Sequence, residues 1–207
     1  MKFELSTARL LSAILHPLII PTLGMIILFN LDTYVAYSIP TQAKRFILII
    51  VFINTAVAPL LSIMLLKRIR MISDMLLDNR NDRLLPLLLA AIFFFLTYFM
   101  LRGTAIPSLI YFYLLGAGML VLICMLITMR WKISIHMTSI GGLTGFLIVT
   151  SLLLKVDLIL LLMVAILSSG LLGVSRIKLQ AHTPAQVYAG FTLGVIGMLL
   201  LYLFLRV

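Results

Sequence analysis

The chain alternates between long apolar runs and short polar breaks, and the breaks carry most of the charge. The runs are continuous rather than period-two, which reads as bilayer-crossing helices and not as strands of a barrel. The first spans roughly Leu10 to Leu31, with Ser6 and Thr7 as candidate caps. His16-Pro17 and Pro21 predict a kink in it, with His16 satisfying carbonyls freed by the prolines. A second run, Phe46 to Leu66, closes on Lys67-Arg68-Ile69-Arg70. Met71 to Arg83 is the longest polar stretch and reads as an interfacial helix. Further runs cover Leu84–Leu101, Ile106–Met129, about Ile133–Leu154, Leu158–Val174 and Thr183–Leu205, with Lys155 and Asp157 marking a tight turn. Gly141, Gly142 and Gly145 in one run, and Gly190, Gly194 and Gly197 in another, predict closely approaching helices. The expected fold is an all-α polytopic transmembrane bundle of six or seven helices, six if one short run is re-entrant.

Composition agrees. Of 207 residues, 63% are hydrophobic and 11% charged, too few charges to solvate that much apolar surface outside a bilayer. Seven runs of ~20 residues consume most of the length, so residues 1–207 read as a single integral-membrane domain. The net charge of +10 sits in short loops, where it reads as topology signal and as ligand for phosphate head groups rather than for nucleic acid. More Lys and Arg share a face with the Lys67–Arg83 loop than lie opposite, which favours a cytoplasmic N-terminus. The single Cys124 excludes a disulfide framework and gives no metal-ligand spacing, and the proline-broken first run does not read as a cleaved signal. The short loops read as bacterial, placing the chain in an inner membrane.

Three polar stations interrupt the apolar pattern, around Arg80/Arg83, around Lys132/Ser134/His136, and in Ser175-Arg176-Ile177-Lys178-Leu179-Gln180-Ala181-His182-Thr183-Pro184-Ala185-Gln186. Two apolar runs separate each station from the next, so all three return to one membrane face and can converge. Charged and imidazole groups at a bilayer boundary are costly to hold and call for a purpose. Guanidinium groups bind phosphoryl oxygens bidentately, and two histidines can divide the work of nucleophile and acid near neutral pH. Such a set needs neither metal nor cofactor.

The third station's S-R-x5-H-x3-Q resembles the S-R-x5-H-x3-D signature of the type 2 phosphatidic acid phosphatase and haloperoxidase superfamily. Ile133-Ser134-Ile135-His136 is similar to that family's P-S-G-H, keeping Ser and His, and Arg83 with Pro86 resembles its K-x6-R-P, with two leucines intervening and Leu76 in place of the lysine. The resemblance covers about residues 78–190. It implies a lipid-phosphatase-like helical core acting on a membrane lipid phosphate, polyprenyl or glycerolipid. His182 would be the nucleophile, His136 the general acid, and Gln186 the partner of His182. Arg83, Arg176 and Arg80 would hold phosphate, with Ser134, Ser175 and Lys132 beside them. Gln186 can orient the ring through its carbonyl but supplies no negative charge where the family has Asp.

Two other readings compete. Asp74, Asp78 and Asp82 recur every four residues, and on a helix would form an acidic stripe able to chelate Mg²⁺, as in membrane prenyl or alcohol phosphotransferases. Alternatively, the same scaffold could bind or transport a lipid phosphate without turnover, tolerating the lost carboxylate.

Overall fold

In the computed structural model, residues 2–75, 77 and 79–205 are described. They form helices and no strand, and six helical spans are long and apolar enough to cross a membrane. This is the all-α polytopic bundle that the hydrophobic pattern predicts.

The first apolar run departs most from expectation. It is two helices, α1 (Lys2–Ile14) and α2 (Ile20–Asn30), parted by a break at residues 15–19. Pro17 and Pro21 each lack an amide, so the backbone ladder cannot run through. Side chains from other segments bond carbonyls at and just after the break: Thr55 Oγ1 reaches Leu18 O at 3.5 Å and Tyr113 Oη donates to Ile20 O at 3.0 Å. His16, expected to do this work, instead accepts the Leu18 amide on Nδ1 at 3.3 Å.

A single-turn helix α3 (Tyr34–Tyr37) leads to α4 (Thr41–Phe52). A π-helical turn, Ile53–Val57, joins α4 to α5 (Ala58–Arg68), and together they make one 28-residue span. Pro59 sits just after the wide turn, which makes room for its ring against the preceding carbonyls. The polar stretch that follows is not the interfacial helix its pattern predicted. Its described residues form a loop and a 3₁₀ turn at Asn81–Arg83. Asp82 accepts the Ser73 amide at 2.8 Å and also the Ser73 hydroxyl, and Lys67 Nζ donates to the Ser73 carbonyl. These local bonds give the backbone an alternative to the helical ladder.

The hairpin α6 (Leu84–Leu101) and α7 (Ser108–Thr128) comes next, then α8 (Ile135–Leu154), α9 (Ile159–Lys178) and α10 (Pro184–Leu205). Lys155, at φ +53°, makes the expected tight turn from α8 to α9. Helix α8 is the axis of the bundle: 67% of its apolar window is buried, against 28% for α9 and for α10. Its closest neighbour is α10, and the glycines explain why. A Cβ on Gly194 would overlap the Thr138 carbonyl oxygen and the Gly142 amide, and one on Gly190 would lie 2.7 Å from the Ser134 carbonyl. Backbone meets backbone there, as the glycine spacing predicts. The contact also carries the Ser134 amide to within 3.4 Å of the Gln186 carbonyl, which ties two polar stations together.

Candidate active site

The three stations open α6, α8 and α10, every second span, and so lie at one end of the bundle. A cavity of about 820 Å³ opens there, and Arg83, His136, Arg176 and His182 all line it. The broken first segment adds Arg9, Ser12 and His16. No carboxylate lines the cavity among the described residues. Away from these groups its wall is apolar, with Ile63, Leu87, Phe94, Leu120 and Leu143 among its members.

His182 is held in the loop between α9 and α10. That loop is set by a left-handed residue, Gln180 at φ +52°, with the Ala181 amide returning to the Arg176 carbonyl at 3.1 Å. This Schellman-type ending stops α9 and turns the chain toward the cavity. Thr183-Pro184-Ala185-Gln186 then starts α10 as a capping box with proline at the first helical position. The Thr183 amide donates to Gln186 Oε1 at 3.3 Å, and the Gln186 amide to Thr183 Oγ1 at 3.4 Å.

The capping box decides the His182 tautomer. Because Oε1 receives a backbone amide, the atom facing His182 is the carbonyl oxygen of the glutamine. His182 Nδ1 lies 2.9 Å from it and must therefore carry the proton. Nε2 is left as an unprotonated lone pair, the state a nucleophile needs. His182 is only 6% exposed. Burial pushes its pKa down to about 4, the Gln186 bond opposes that, and the charges of Arg83, Arg176 and Lys132 reinforce it. At neutral pH the ring is uncharged.

His136 starts α8 and donates from Nε2 to the Ser12 carbonyl at 3.2 Å, which leaves Nδ1 as the nitrogen able to accept a proton. His16 packs edge-on against it, ring centroids 5.2 Å apart. Arg176 is near enough to bear electrostatically on all three imidazoles. Arg83 is 4% exposed and donates from Nε to the Leu77 carbonyl at 2.6 Å, which aims its guanidinium from the loop into the cavity wall.

The remaining expected site residues lie outside the cavity lining. Arg80 donates to the Arg130 carbonyl at 2.7 Å and clips two loops together at the exposed surface. Ser175 gives its hydroxyl to Leu171 O, one turn back on its own helix. Ser134 is fully buried, and its Oγ has no hydrogen-bond partner among the described residues. Lys132 is half-buried, and its charge bears on His182. Of the Asp stripe, Asp74 and Asp82 share no helix, lying in a loop and a 3₁₀ turn, and Asp78 lies outside the described residues. Among the described residues no three His, Cys, Asp or Glu side chains are grouped to hold a metal ion.

Reading the sequence missed Arg9, Ser12 and His16. The signal was there in part, since Arg9, Ser12 and His16 follow a 3,4 spacing along one helical face. Which cavity that face meets depends on the break after Ile14. The chain matches no family model, no curated protein and no solved structure.

Proposed function

We propose that the chain is a membrane lipid-phosphate phosphatase of the type 2 phosphatidic acid phosphatase kind, working through a phospho-His182 intermediate. One observation carries the reading: buried Arg83, half-buried Arg176, a neutral histidine with its Nε2 lone pair free and a second histidine line one end of a cavity whose remaining wall is mainly apolar. An anionic head group suits the first part, and an acyl or isoprenoid chain suits the second.

Arg83 and Arg176 hold the phosphoryl oxygens and neutralise the charge that spreads over them in the transition state. His182 Nε2 attacks phosphorus, forming an N–P bond as the P–O bond to the leaving group breaks. A proton carried in on the bound phosphate passes to His136 Nδ1, and His136 hands it to the departing oxygen. In the second step His136 takes a proton from water, whose oxygen attacks phosphorus and releases His182. Gln186 keeps the His182 proton on Nδ1 throughout. Every step uses groups that line the cavity or touch one that does.

The test is phosphate release by detergent-purified protein from polyprenyl and glycerolipid phosphates, with EDTA present, beside His182→Ala. Release by wild type that the variant lacks supports the reading. A second reading, lipid-phosphate binding or transport without turnover, is favoured by the neutral Gln186, which leaves the imidazolium-like state uncompensated. Tight binding with no release would select it. The inner membrane of a bacterium is the setting proposed for either activity.

A further inference from the structure

The cavity contains more cationic and donor groups than one phosphoryl group uses. Arg83, Arg176, His136 and His182 account for a single phosphate. Arg9, Ser12 and His16 remain, all on one face of the broken first segment and all lining the same cavity. None belongs to the three signature-like stations. Ser12 is 7% exposed, and its Oγ has no hydrogen-bond partner among the described residues. A buried hydroxyl left without a partner costs stability unless a ligand fills the vacancy. His16 Nδ1 accepts the Leu18 amide, so its proton is on Nε2 and can be donated to an anion. Arg9 adds a third guanidinium to a cavity whose described lining residues include no carboxylate.

From this we infer that Arg9, Ser12 and His16 form a second anion subsite, and that the preferred head group is a diphosphate on a lipid rather than a monophosphate. The inference rests on the phosphatase reading for its chemistry and on the cavity alone for its binding. The placement of His136 fits it. His136 bonds to the Ser12 carbonyl and packs on His16 on one side, and it feels the charge of Arg176. In a diphosphate the bridging oxygen lies between two phosphoryl groups, and the acid that protonates it must stand between their subsites. His182 Nε2 would attack the terminal phosphorus while the bridging P–O bond breaks. The proton that His136 Nδ1 takes from the bound, partly protonated diphosphate would pass to the bridging oxygen, and the lipid monophosphate would form in the grip of Arg9, Ser12 and His16. Water then cleaves the phospho-histidine to inorganic phosphate. A monophosphate has one ionised phosphoryl group fewer and leaves this subsite unfilled.

The experiment measures binding separately from turnover. Full-length wild-type protein in detergent is titrated with two non-hydrolysable probes: a farnesyl diphosphate analogue whose phosphorus atoms are joined by CH₂, and farnesyl phosphonate. The tailless methylenediphosphonate is run beside them. The expected result is at least tenfold tighter binding of the farnesyl bisphosphonate than of either other probe. That ratio over farnesyl phosphonate should collapse toward one in Arg9→Gln, Ser12→Ala and His16→Gln, with thermal melting showing the variants folded. Equal binding of the two farnesyl probes by wild type overturns the inference, as does a ratio unchanged by all three substitutions. Equally tight binding of the tailless probe overturns its lipid part. Selective binding with no phosphate release from farnesyl diphosphate would leave the subsite standing and overturn the phosphatase reading. Release from mono- and diphosphates without selective binding would do the reverse.

Discussion

Replacing Gln186 by Asp supplies a charge that the neutral amide lacks, and the geometry sets how much that should matter. Gln186 Oε1 sits 2.9 Å from His182 Nδ1 in a half-buried position at the start of α10. A carboxylate there would face an imidazolium at about 4 Å between charge centres, worth between ~1 kcal/mol in bulk water and ~4 kcal/mol at an effective dielectric near 20. At 1.36 kcal/mol per pKa unit, that raises the His182 pKa from about 4 by roughly one to three units. Phosphorylation at Nε2 makes the ring cationic, so part of the same energy lowers the barrier to attack. We expect kcat to rise about 10- to 100-fold, equivalent to ~1.4–2.7 kcal/mol. The nucleophile must be neutral, so the acid limb of the rate profile should move up with the pKa. Phosphate release across pH 3.5 to 8 with EDTA reads both effects. A rate within twofold of wild type and an unmoved acid limb would refute the assignment of Gln186 as the group that orients and balances His182. The capping box makes the substitution tolerable, since Asp at this position can still accept the Thr183 amide.

Three further outcomes follow from the same structure. Arg83→Gln should weaken phosphonate binding by about 100-fold or more through loss of a charged hydrogen-bonding partner, while Arg80→Gln, at the loop surface, should change it less than threefold; calorimetric titration separates them. Gly194→Ala should cost at least ~2 kcal/mol because the new Cβ meets α8 backbone, whereas Gly170→Ala, with open space around it, should be neutral or up to ~1 kcal/mol stabilising; thermal melts in detergent test the pair. Folded His182 titrates near 4 and the unfolded residue near 6.5, so the unfolded state binds the extra proton between them. Stability should therefore fall as pH drops from about 6.5 toward 4, and His182→Gln should flatten that slope.

Much of this was legible in the chain because it depends on local pattern and count. Continuous apolar runs give the spans, and parity brings Arg83, His136 and His182 to one end. The spacing of Gly141, Gly190 and Gly194 marks the tight α8–α10 contact. The parts that were not legible depend on contacts between distant segments. Residues 71–83 have a helix-like acidic repeat, but the Ser73–Asp82 bonds across nine positions select a loop instead. Ser175 and Arg176 are neighbours in the motif, yet helical geometry sends one toward the Leu171 carbonyl and the other into the cavity. His16 reads as a helix-kink residue until the break after Ile14 sets it against His136, 120 positions later. Gln186 was visible as a departure from the Asp pattern, while T-P-A-Q as a capping box that fixes a tautomer was there to be read and was missed.

The claim on which the rest stands is that His182 Nε2 forms a bond to phosphorus. The most direct measurement is to quench wild-type protein within milliseconds of mixing with a ³²P-labelled farnesyl diphosphate, then map the label by proteolysis and test its acid and base stability. The account predicts an acid-labile, base-stable label on the peptide containing His182, absent from His182→Ala and more abundant in Gln186→Asp. Steady phosphate release with no such label, or a label on His136 or His16, would contradict it.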